Sequence, residues 1–520
     1  MVWLRIVAFL LLCGFLTLSP MGEVCIYLWG FSFRVIIDPI SISFSWLLVL
    51  IIRRVYIWSF YYMREEEYFS RFLIIVNRFV FRILTLIFIG NLFFRIIGWD
   101  GLGVTSFLLI VFYKNRKSLA SGFLTAFTNR LGDGFYLVLL SIRAGTLGLT
   151  PQRVRFWFTS MLILLSITKR AQVPFTSWLP AAMAAPTPVR ALVHSSTLVT
   201  AGVYMLLRYN AKGVFWLVLV GRCTLFIAGV AACAESDLKK IVALSTLSQL
   251  GVMVVSLSIF QKSFCFFHLI THAMFKALLF LRVGVGIHRV YGTQDLRSFR
   301  GLSKGLSIPC VFLVCSSLSL LGFPFMSGFY RKDIIMESFY NNSLSFLFSI
   351  VFLCGVGLTA AYSFKVVFLV VGGGGSFSPF SLSNGSFSPF IKIPFFVLGT
   401  GSVIRGALLS LGLPPFSPVF SPLDKLWPLF FILLGSGGGF IVRLYFSSST
   451  FCSLLYLIPL FHGTRRILSL GSEAHQGDSN WVRYVGGRRM FSSFSFLGTA
   501  RWRFFFSMSF FLLLFFMSLA

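Results

Sequence analysis

The sequence predicts an all-α, polytopic membrane protein with about 14–16 transmembrane helices. Mean hydropathy is +0.88, and 57% of the 520 residues are hydrophobic whereas only 12% are charged. Apolar runs of roughly 17–25 residues follow one another along most of the chain, and each can span a hydrocarbon core about 30 Å thick. Because that core has no water to satisfy backbone polar groups, the spanning segments must be helices.

The elements follow in a simple order, with most helices joined by short loops. Residues 1–19 resemble a signal peptide, but no clear small-residue cleavage site follows them, so they predict a first transmembrane helix. Residues 61–72 carry three consecutive glutamates and must form an aqueous loop. The glycine-rich residues 372–390 predict a flexible loop. Residues 462–489 predict an amphipathic surface helix or a partly disordered stretch, and residues 504–519 a final span.

Two of the predicted spans are interrupted. Pro174 lies within residues 169–178, and Pro324 lies within residues 321–332. Proline removes a backbone hydrogen bond and kinks or breaks a helix, and a lysine stands near each break. Discontinuous helices in corresponding positions of two halves mark the ion path of transporters. An ordinary proline kink is the alternative, but the repeated combination of break and lysine favours a functional interpretation.

A row of ionisable groups lies within the mostly apolar residues 264–284. His268, His272 and Lys276 are spaced i, i+4 and i+8, which places them on one helix face at steps of about 6 Å. A charged side chain at bilayer depth costs roughly 2.5–3.5 kcal/mol on insertion scales. The row therefore predicts part of a proton pathway. Two hydrogen-bonded core histidines and a snorkelling lysine are the alternative.

Other apolar segments also contain ionisable side chains. They are Asp100, Lys169, His194, Lys239 and Lys332. A proton relay needs such groups, because desolvation lowers the pKa of a lysine in general, a nearby carboxylate raises it again, and histidine titrates near neutral pH. We therefore predict that these five residues act together with the row above. Lys239 and its neighbour Lys240 begin a span, so snorkelling to lipid headgroups is an equal alternative for them.

Composition and motifs argue against several other functions. The nine cysteines are scattered without a CxxC pair, so we predict no disulfide framework, zinc site or iron–sulfur cluster. No glycine-rich nucleotide motif follows a strand. The net charge of +30 comes from an excess of arginine. These arginines are dispersed through apolar runs and not clustered on a soluble face, so we predict no nucleic-acid binding.

Several long motifs carry a family resemblance. In chain order they are GWDGLGVTSFLL, TNRLGD, AQVPFTSWLPAAMAAPTPVRALVHSSTLVTAGVYML, ESDLKKIVALSTLSQLG, FHLITHAMFKALLFL and SGFYRKD. They resemble the proton-translocating chain 5 family of NADH:ubiquinone oxidoreductase, respiratory complex I, and the WDG form resembles its invertebrate mitochondrial versions. The motifs cover residues 36–333 in the order of the family, whereas the C-terminal third is similar only in hydropathy.

The resemblance implies an antiporter-like fold of two inverted five-helix repeats, each with one broken helix. Residues 1–70 would hold N-terminal helices and a loop, residues 71–215 the first repeat and residues 216–372 the second. Residues 373–520 would hold C-terminal helices, with a lateral amphipathic helix and an anchor helix. The resemblance also implies a multi-pass protein of the mitochondrial inner membrane that translocates protons.

The resemblance further implies which molecules the chain binds. Its partners would be the lipid bilayer and the other membrane subunits of complex I. NAD, FMN, iron–sulfur clusters and ubiquinone would belong to other subunits. The chain would therefore bind no cofactor or metal and would have no redox site of its own.

The resemblance implies roles for single residues as well. Asp100 would pair with Lys169 ahead of the first break, and Lys332 would lie on the exit side. Arg130 and Asp133 match the NR-x-GD motif of the family. The other positions that match its ionisable residues are His194, Lys239, His268, His272 and Lys276.

Two features depart from the family. The family usually has two spans before the segment that matches residues 36–44, and here we see one, so a helix is expected to be missing. Arginine also stands where the family typically has serine, at Arg170, Arg190, Arg289 and Arg331. An arginine beside Lys169 would disfavour the charged lysine. Several animal mitochondria read the codons AGA and AGG as serine, so we predict serine at these positions in the native protein.

Two other functions stay open at this point. A subunit of a multi-chain cation/proton antiporter would share the same core motifs. A purely structural membrane scaffold is the second alternative, and it predicts that replacing Lys169 or Lys276 by methionine leaves proton transfer intact.

Overall fold

The computed structural model describes residues 22–28, 31–144, 151–209, 215–258, 262–290, 292–300, 307–330, 346–371, 389–411 and 426–445. All of these residues belong to one compact unit, Met1–Tyr456. Several predictions fall outside the described residues. They are the first transmembrane helix at 1–19, most of the loop at 372–390, the surface helix at 462–489, the final span at 504–519, and the positions of Arg331 and Lys332.

The described residues form mainly α-helices. In chain order they are α1 (Pro39–Tyr62), α2 (Phe69–Phe88), α3 (Leu92–Ile110), α4 (Arg116–Ala144), α5 (Pro151–Lys169), α6 (Trp178–Ala181), α7 (Thr187–Val189), α8 (Leu198–Arg208), α9 (Phe215–Ala234), α10 (Leu238–Ser258), α11 (Lys262–Arg289), α12 (Ser307–Leu321), α13 (Phe346–Val371), α14 (Pro389–Leu411) and α15 (Leu426–Tyr445). A π-helical segment, Arg190–Thr197, joins α7 to α8.

Hydropathy and length identify the helices that cross the membrane. Among the described residues, seven helices are long and apolar enough to do so. The predicted helical, multi-pass membrane protein is thereby confirmed. The number of spans in the whole chain stays a prediction.

A β-hairpin precedes α1 and was not predicted from the sequence. Strand β1 (Gly22–Leu28) pairs antiparallel with β2 (Phe31–Ile37), with Gly22 opposite Ile37. Residues 22–37 are rich in valine, isoleucine and aromatic residues, which favour extended backbone. The structure thus adds a two-stranded element to an otherwise helical fold.

The two predicted helix breaks are confirmed. Helix α5 ends at Lys169 and helical structure resumes at Trp178. Helix α12 ends at Leu321 and helical structure resumes at Ser327. At the second break Gly322 has a φ of +78°, a conformation that glycine adopts without steric cost at the end of a helix. Each break therefore leaves backbone groups outside the regular helical ladder within the membrane region.

Helices α10 and α11 form the core of the described residues. The apolar part of α10 is wholly buried and that of α11 is 94% buried. Helix α9 approaches α10 very closely, because a Cβ atom at Gly251 would lie only 2.7 Å from the carbonyl oxygen of Gly221. Small residues allow such backbone contact between membrane helices. Polar side chains on α10 and α11 therefore face protein and not lipid.

Candidate functional site

Lys169 is a fully buried cation at the first helix break. It is the last residue of α5 and is 0% exposed. Its Nζ atom donates a hydrogen bond to the backbone carbonyl of Trp99 at 2.5 Å and lies 3.9 Å from the centroid of the Trp99 ring. A carbonyl oxygen and an aromatic face both attract a cation. The position of this lysine is thus set by α3 as well as by its own helix.

The predicted pair of Asp100 and Lys169 is not formed as a direct contact. The carboxylate of Asp100 instead accepts a hydrogen bond from Arg130 at 2.9 Å. The reason is helix geometry, because successive residues of an α-helix project about 100° apart. Trp99 is directed towards the lysine, and the next residue projects around the helix towards α4.

Asp133 is a second acid beside this lysine. Its Oδ2 atom accepts a hydrogen bond from Arg130 at 3.3 Å. Its Oδ1 atom is buried and has no partner among the described residues. Asp133 and Asp100 both lie within electrostatic range of Lys169. Arg130 therefore bridges two carboxylates that both act on the buried lysine.

Close packing of two helices accounts for the proximity of Asp133. A Cβ atom at Gly132 would lie 2.5 Å from the hydroxyl oxygen of Thr168. Gly132 and Thr168 are the immediate neighbours of Asp133 and Lys169, so α4 and α5 touch at this level. We call Trp99, Asp100, Arg130, Asp133 and Lys169 the Lys169 cluster.

The predicted row on α11 is buried along its whole length. His268, His272 and Lys276 are each 0% exposed. The rings of the two histidines are 6.2 Å apart between centroids. The Nζ atom of Lys276 donates a hydrogen bond to the hydroxyl of Ser245 on α10 at 2.6 Å. We call these three α11 residues the His–Lys row. Their burial rules out snorkelling by Lys276.

His194 lies in the π-helical segment Arg190–Thr197 and is buried. Within the described part of the chain, neither of its ring nitrogens has a hydrogen-bond partner. Its ring is 6.2 Å from that of Trp178, between centroids, and α11 packs against the π-helical segment. Such π-helical turns often occur at functional sites. The fold therefore brings His194 to the helix that carries the His–Lys row.

The two lysines at the start of α10 have different surroundings. Lys239 is buried and lies within electrostatic range of Arg190 and Asp237. Lys240 is partly exposed, with its Nζ atom 3.1 Å from a carboxylate oxygen of Asp237. Snorkelling thus suits Lys240 and not Lys239.

Two of the arginines that stand at serine positions are buried close to these groups. Arg170 follows Lys169 and is 1% exposed, and two of its guanidinium nitrogens, Nε and Nη1, lack partners among the described residues. Arg190 is 4% exposed and its Nη2 atom donates a hydrogen bond to the carbonyl of Ala185. Its Nε atom lacks a partner in the same set. Neither guanidinium forms an ion pair with a described residue. Burying a charge without such a partner costs free energy.

The structure brings the predicted residues into two groups and adds some that were not assigned. Asp100 and Lys169 share one cluster, His194 adjoins the His–Lys row, and Lys239 lies at the start of α10. The sequence did not indicate that Trp99 and Ser245 belong to these groups. It also did not indicate that Arg130 bridges Asp100 and Asp133. The polar run STLSQ in the apolar α10 was the available signal for Ser245, since it places Ser245 and Gln249 four residues apart.

The arrangement is suited to carry protons between fixed side chains. Both lysines are buried and bonded to neutral oxygen atoms, the carbonyl of Trp99 and the hydroxyl of Ser245. Such lysines can exist charged or neutral, because burial disfavours the charged form and lowers the cost of releasing the proton. Imidazoles at neighbouring positions accept a proton on one nitrogen and release it from the other.

Comparisons with known proteins connect this geometry to a family. The family model described as NADH:quinone oxidoreductase/Mrp antiporter, TM, matches residues 90–359. The chain is 39% identical over 493 residues to NADH-ubiquinone oxidoreductase chain 5 of Lumbricus terrestris, which covers 87% of this chain and 84% of that protein. It is 42% identical over 399 residues to the protein of the same name from Mytilus edulis, which covers 74% and 70%.

A solved structure has a similar fold. A chain of the Mrp complex from Dietzia sp. DQ12-45-1b matches 91% of this chain with a TM-score of 0.75 and 21% sequence identity. This chain spans 56% of the length of that one. The likeness supports the antiporter-like fold, and the relatives from Lumbricus and Mytilus identify the family. The chain therefore belongs to the NADH-ubiquinone oxidoreductase chain 5 family.

Proposed function

We propose that protons cross this chain along the Lys169 cluster, His194, Lys239 and the His–Lys row. As a member of its family, the chain is a proton-translocating membrane subunit of NADH:ubiquinone oxidoreductase. The observation that carries the proposed pathway is the burial of Lys276 with its ammonium group on a neutral hydroxyl. Burial disfavours the charged form of a lysine, so an ammonium group in such a place can pass its proton to a neighbouring acceptor.

The Lys169 cluster would load and unload one proton. Arg130 holds Asp100 and Asp133, and both carboxylates act on Lys169 from within the same cluster. If Arg130 drew the carboxylates away, the charged lysine would be less favoured, and its return would reverse the effect. The ion pairs of Arg130 would then act as the switch that sets the protonation of Lys169.

His194 and Lys239 would connect the cluster with the His–Lys row. His194 lies on the π-helical segment that packs against α11, and Lys239 begins α10, which carries the partner hydroxyl of Lys276. Lys332, which lies outside the described residues, would follow at the exit side. Steps between these groups would run through ordered water, since imidazole and ammonium groups exchange protons over one bridging molecule.

Several features of the assembly belong to the same proposal. The chain would lie in the mitochondrial inner membrane, among the other membrane subunits of complex I and surrounded by lipid. NAD, FMN, iron–sulfur clusters and ubiquinone would be held by other subunits, so this chain would bind no cofactor and carry no redox site. Its contribution to the reaction would be proton transfer alone.

The test uses the assembled complex in sealed vesicles. Lys276→Met should lower the number of protons translocated per NADH oxidised, because methionine fills the space of the lysine and cannot carry a proton. Lys240→Met, on the same pair of helices but partly exposed, is the matched control and should leave that ratio unchanged. A normal ratio in an assembled Lys276→Met complex would remove the His–Lys row from the pathway.

A subunit of a multi-chain cation/proton antiporter is the second candidate. The similarity to a chain of the Mrp complex favours it, but this similarity concerns the fold alone. An antiporter would exchange protons for sodium or potassium without NADH. Purification with an NADH-oxidising flavin and iron–sulfur assembly would separate the two functions.

A further inference from the structure

Gln249 is a buried polar side chain that no step above uses. It lies in α10 and is 0% exposed. Among the residues that the structure describes, neither its Nε2 nor its Oε1 atom has a hydrogen-bond partner. Buried amide groups in proteins are nearly always hydrogen-bonded, so this amide requires a partner in the space that it faces.

Two contacts show that Gln249 faces α11. Four residues before it, the hydroxyl of Ser245 accepts the hydrogen bond from Lys276. Four residues after it, the carbonyl of Met253 accepts one from the thiol of Cys265 at 3.4 Å. Residues four apart share one face of a helix, and both flanking positions meet α11. Gln249 therefore lies in the middle of the face that α10 presents to α11.

The same two contacts show which part of α11 lies opposite Gln249. The later residue of α10 meets the earlier residue of α11, so the two helices run antiparallel. Gln249 is midway between Ser245 and Met253, which puts it level with the middle of the segment from Cys265 to Lys276. His272 lies in that part of α11. It is about one helical turn, roughly 6 Å, from Lys276.

We propose that Gln249 is a positioning residue for proton transfer between His272 and Lys276. Its amide would hold one ring nitrogen of His272, directly or through a water molecule. The other ring nitrogen would then face along the row towards Lys276. An amide supplies both a donor and an acceptor, so it can stay bonded to that ring nitrogen whether or not the nitrogen carries a proton. In the forward step, the protonated imidazole of His272 gives the proton on the nitrogen that faces Lys276 to the neutral Nζ, which leaves a neutral imidazole and an ammonium group.

This inference rests on the proposed function, and it makes a narrower claim. A structural role would require only that the side chain fill its space. The positioning role requires the hydrogen-bonding groups of the amide. Gln249→Met keeps the length and approximate volume of the side chain and removes both groups, so it separates the two roles.

The experiment compares variants in the assembled complex in sealed vesicles. Gln249→Met should assemble normally and translocate protons about tenfold more slowly. Its proton translocation should also show a larger solvent deuterium isotope effect, since proton transfer becomes the slower step. Gln249→Asn retains the amide on a shorter side chain and should recover part of the rate. Thr246→Val is the control, because the hydroxyl of Thr246 is buried in α10 and bonds to the carbonyl of Ala243 in its own helix.

The outcomes distinguish this inference from the proposed function. Wild-type translocation and isotope effect in Gln249→Met, with translocation lost in Lys276→Met, would overturn the role of Gln249 and leave the pathway intact. Normal translocation in Lys276→Met would overturn the pathway itself. If Gln249→Met does not assemble, Gln249→Leu decides, because it also lacks both hydrogen-bonding groups, and an isotope effect equal to that of the wild type would overturn the proposal.

Discussion

The ammonium group of Lys169 contacts Trp99 of α3 twice, through the backbone carbonyl and through the indole ring. Trp99 directly precedes Asp100, whose carboxylate reaches Arg130. A movement of this one turn of α3 would therefore change the contacts of the lysine and the position of a nearby negative charge together. A shift of this turn of α3 would therefore alter the protonation of Lys169 more directly than a shift elsewhere in the Lys169 cluster.

Replacing Lys169 by methionine should strongly reduce proton translocation, by about tenfold or more. The side chain is fully buried, so removing its charge takes away the titrating group without exposing apolar surface, and assembly should survive. The measurement is proton translocation per NADH oxidised, with the amount of assembled complex determined in parallel. Full translocation by a normally assembled variant would show that this lysine is outside the pathway.

Asp133→Asn should impair proton translocation more than Asp100→Asn. Both acids share Arg130, but the side chain of Asp133 is 13% exposed against 42% for Asp100, so solvent screens the charge of Asp133 less. Asparagine preserves the shape of either side chain and removes only the negative charge. Turnover of the two variants at equal levels of assembly provides the comparison. A larger defect in Asp100→Asn would indicate that the carboxylate on α3 approaches the lysine during turnover.

The sequence predicted the helix breaks and the His–Lys row because both depend on local rules. Pro174 and Pro324 each remove a backbone donor from an apolar segment and so favour a kink or a break there. The spacing of His268, His272 and Lys276 alone places the three side chains on one helix face. The contact of Lys276 with Ser245 could not be predicted in this way, because it depends on how α10 and α11 are aligned.

The Lys169 cluster shows a different limit of sequence reasoning. Whether Trp99 or Asp100 contacts Lys169 depends on the rotation of α3 about its axis. Successive side chains of a helix project about 100° apart, so neighbouring residues face different helices. The hairpin at residues 22–37 was not predicted from the sequence for another reason. A short run of β-branched and aromatic residues is ambiguous between a strand and a buried helix.

Adding a methyl group at Gly251 should destabilise the protein. The new Cβ atom would lie 2.7 Å from the carbonyl oxygen of Gly221, so α9 and α10 would have to separate, at a cost of about 1–3 kcal/mol. Gly134→Ala is the matched control, because a Cβ atom there would meet no atom within 4 Å. Alanine is also the better helix former. The thermal stability of the solubilised complex should fall for Gly251→Ala and not for Gly134→Ala; equal values would contradict this account of the packing.

Arginine stands at several positions where the family typically has serine. Arg170 and Arg190 are buried, and two guanidinium nitrogens of Arg170 and one of Arg190 lack partners among the described residues. An arginine inside the membrane costs at least about 2.5 kcal/mol on insertion scales. The 15 acidic residues of the chain are too few to pair with its 45 lysines and arginines. Serine at these positions would remove the unpaired charge, and its hydroxyl can bond to its own helix.

We therefore expect peptides of the native protein to contain serine at positions 170, 190 and 331, and the corresponding codons to be AGA or AGG. Mass spectrometry of the purified complex tests the residues, and the coding DNA tests the codons. Arginine at these three positions would contradict the prediction. It would also give Lys169 a permanently charged neighbour, which disfavours the protonated lysine, so the Lys169 cluster would need Asp133 and Asp100 to offset that charge before it could bind a proton.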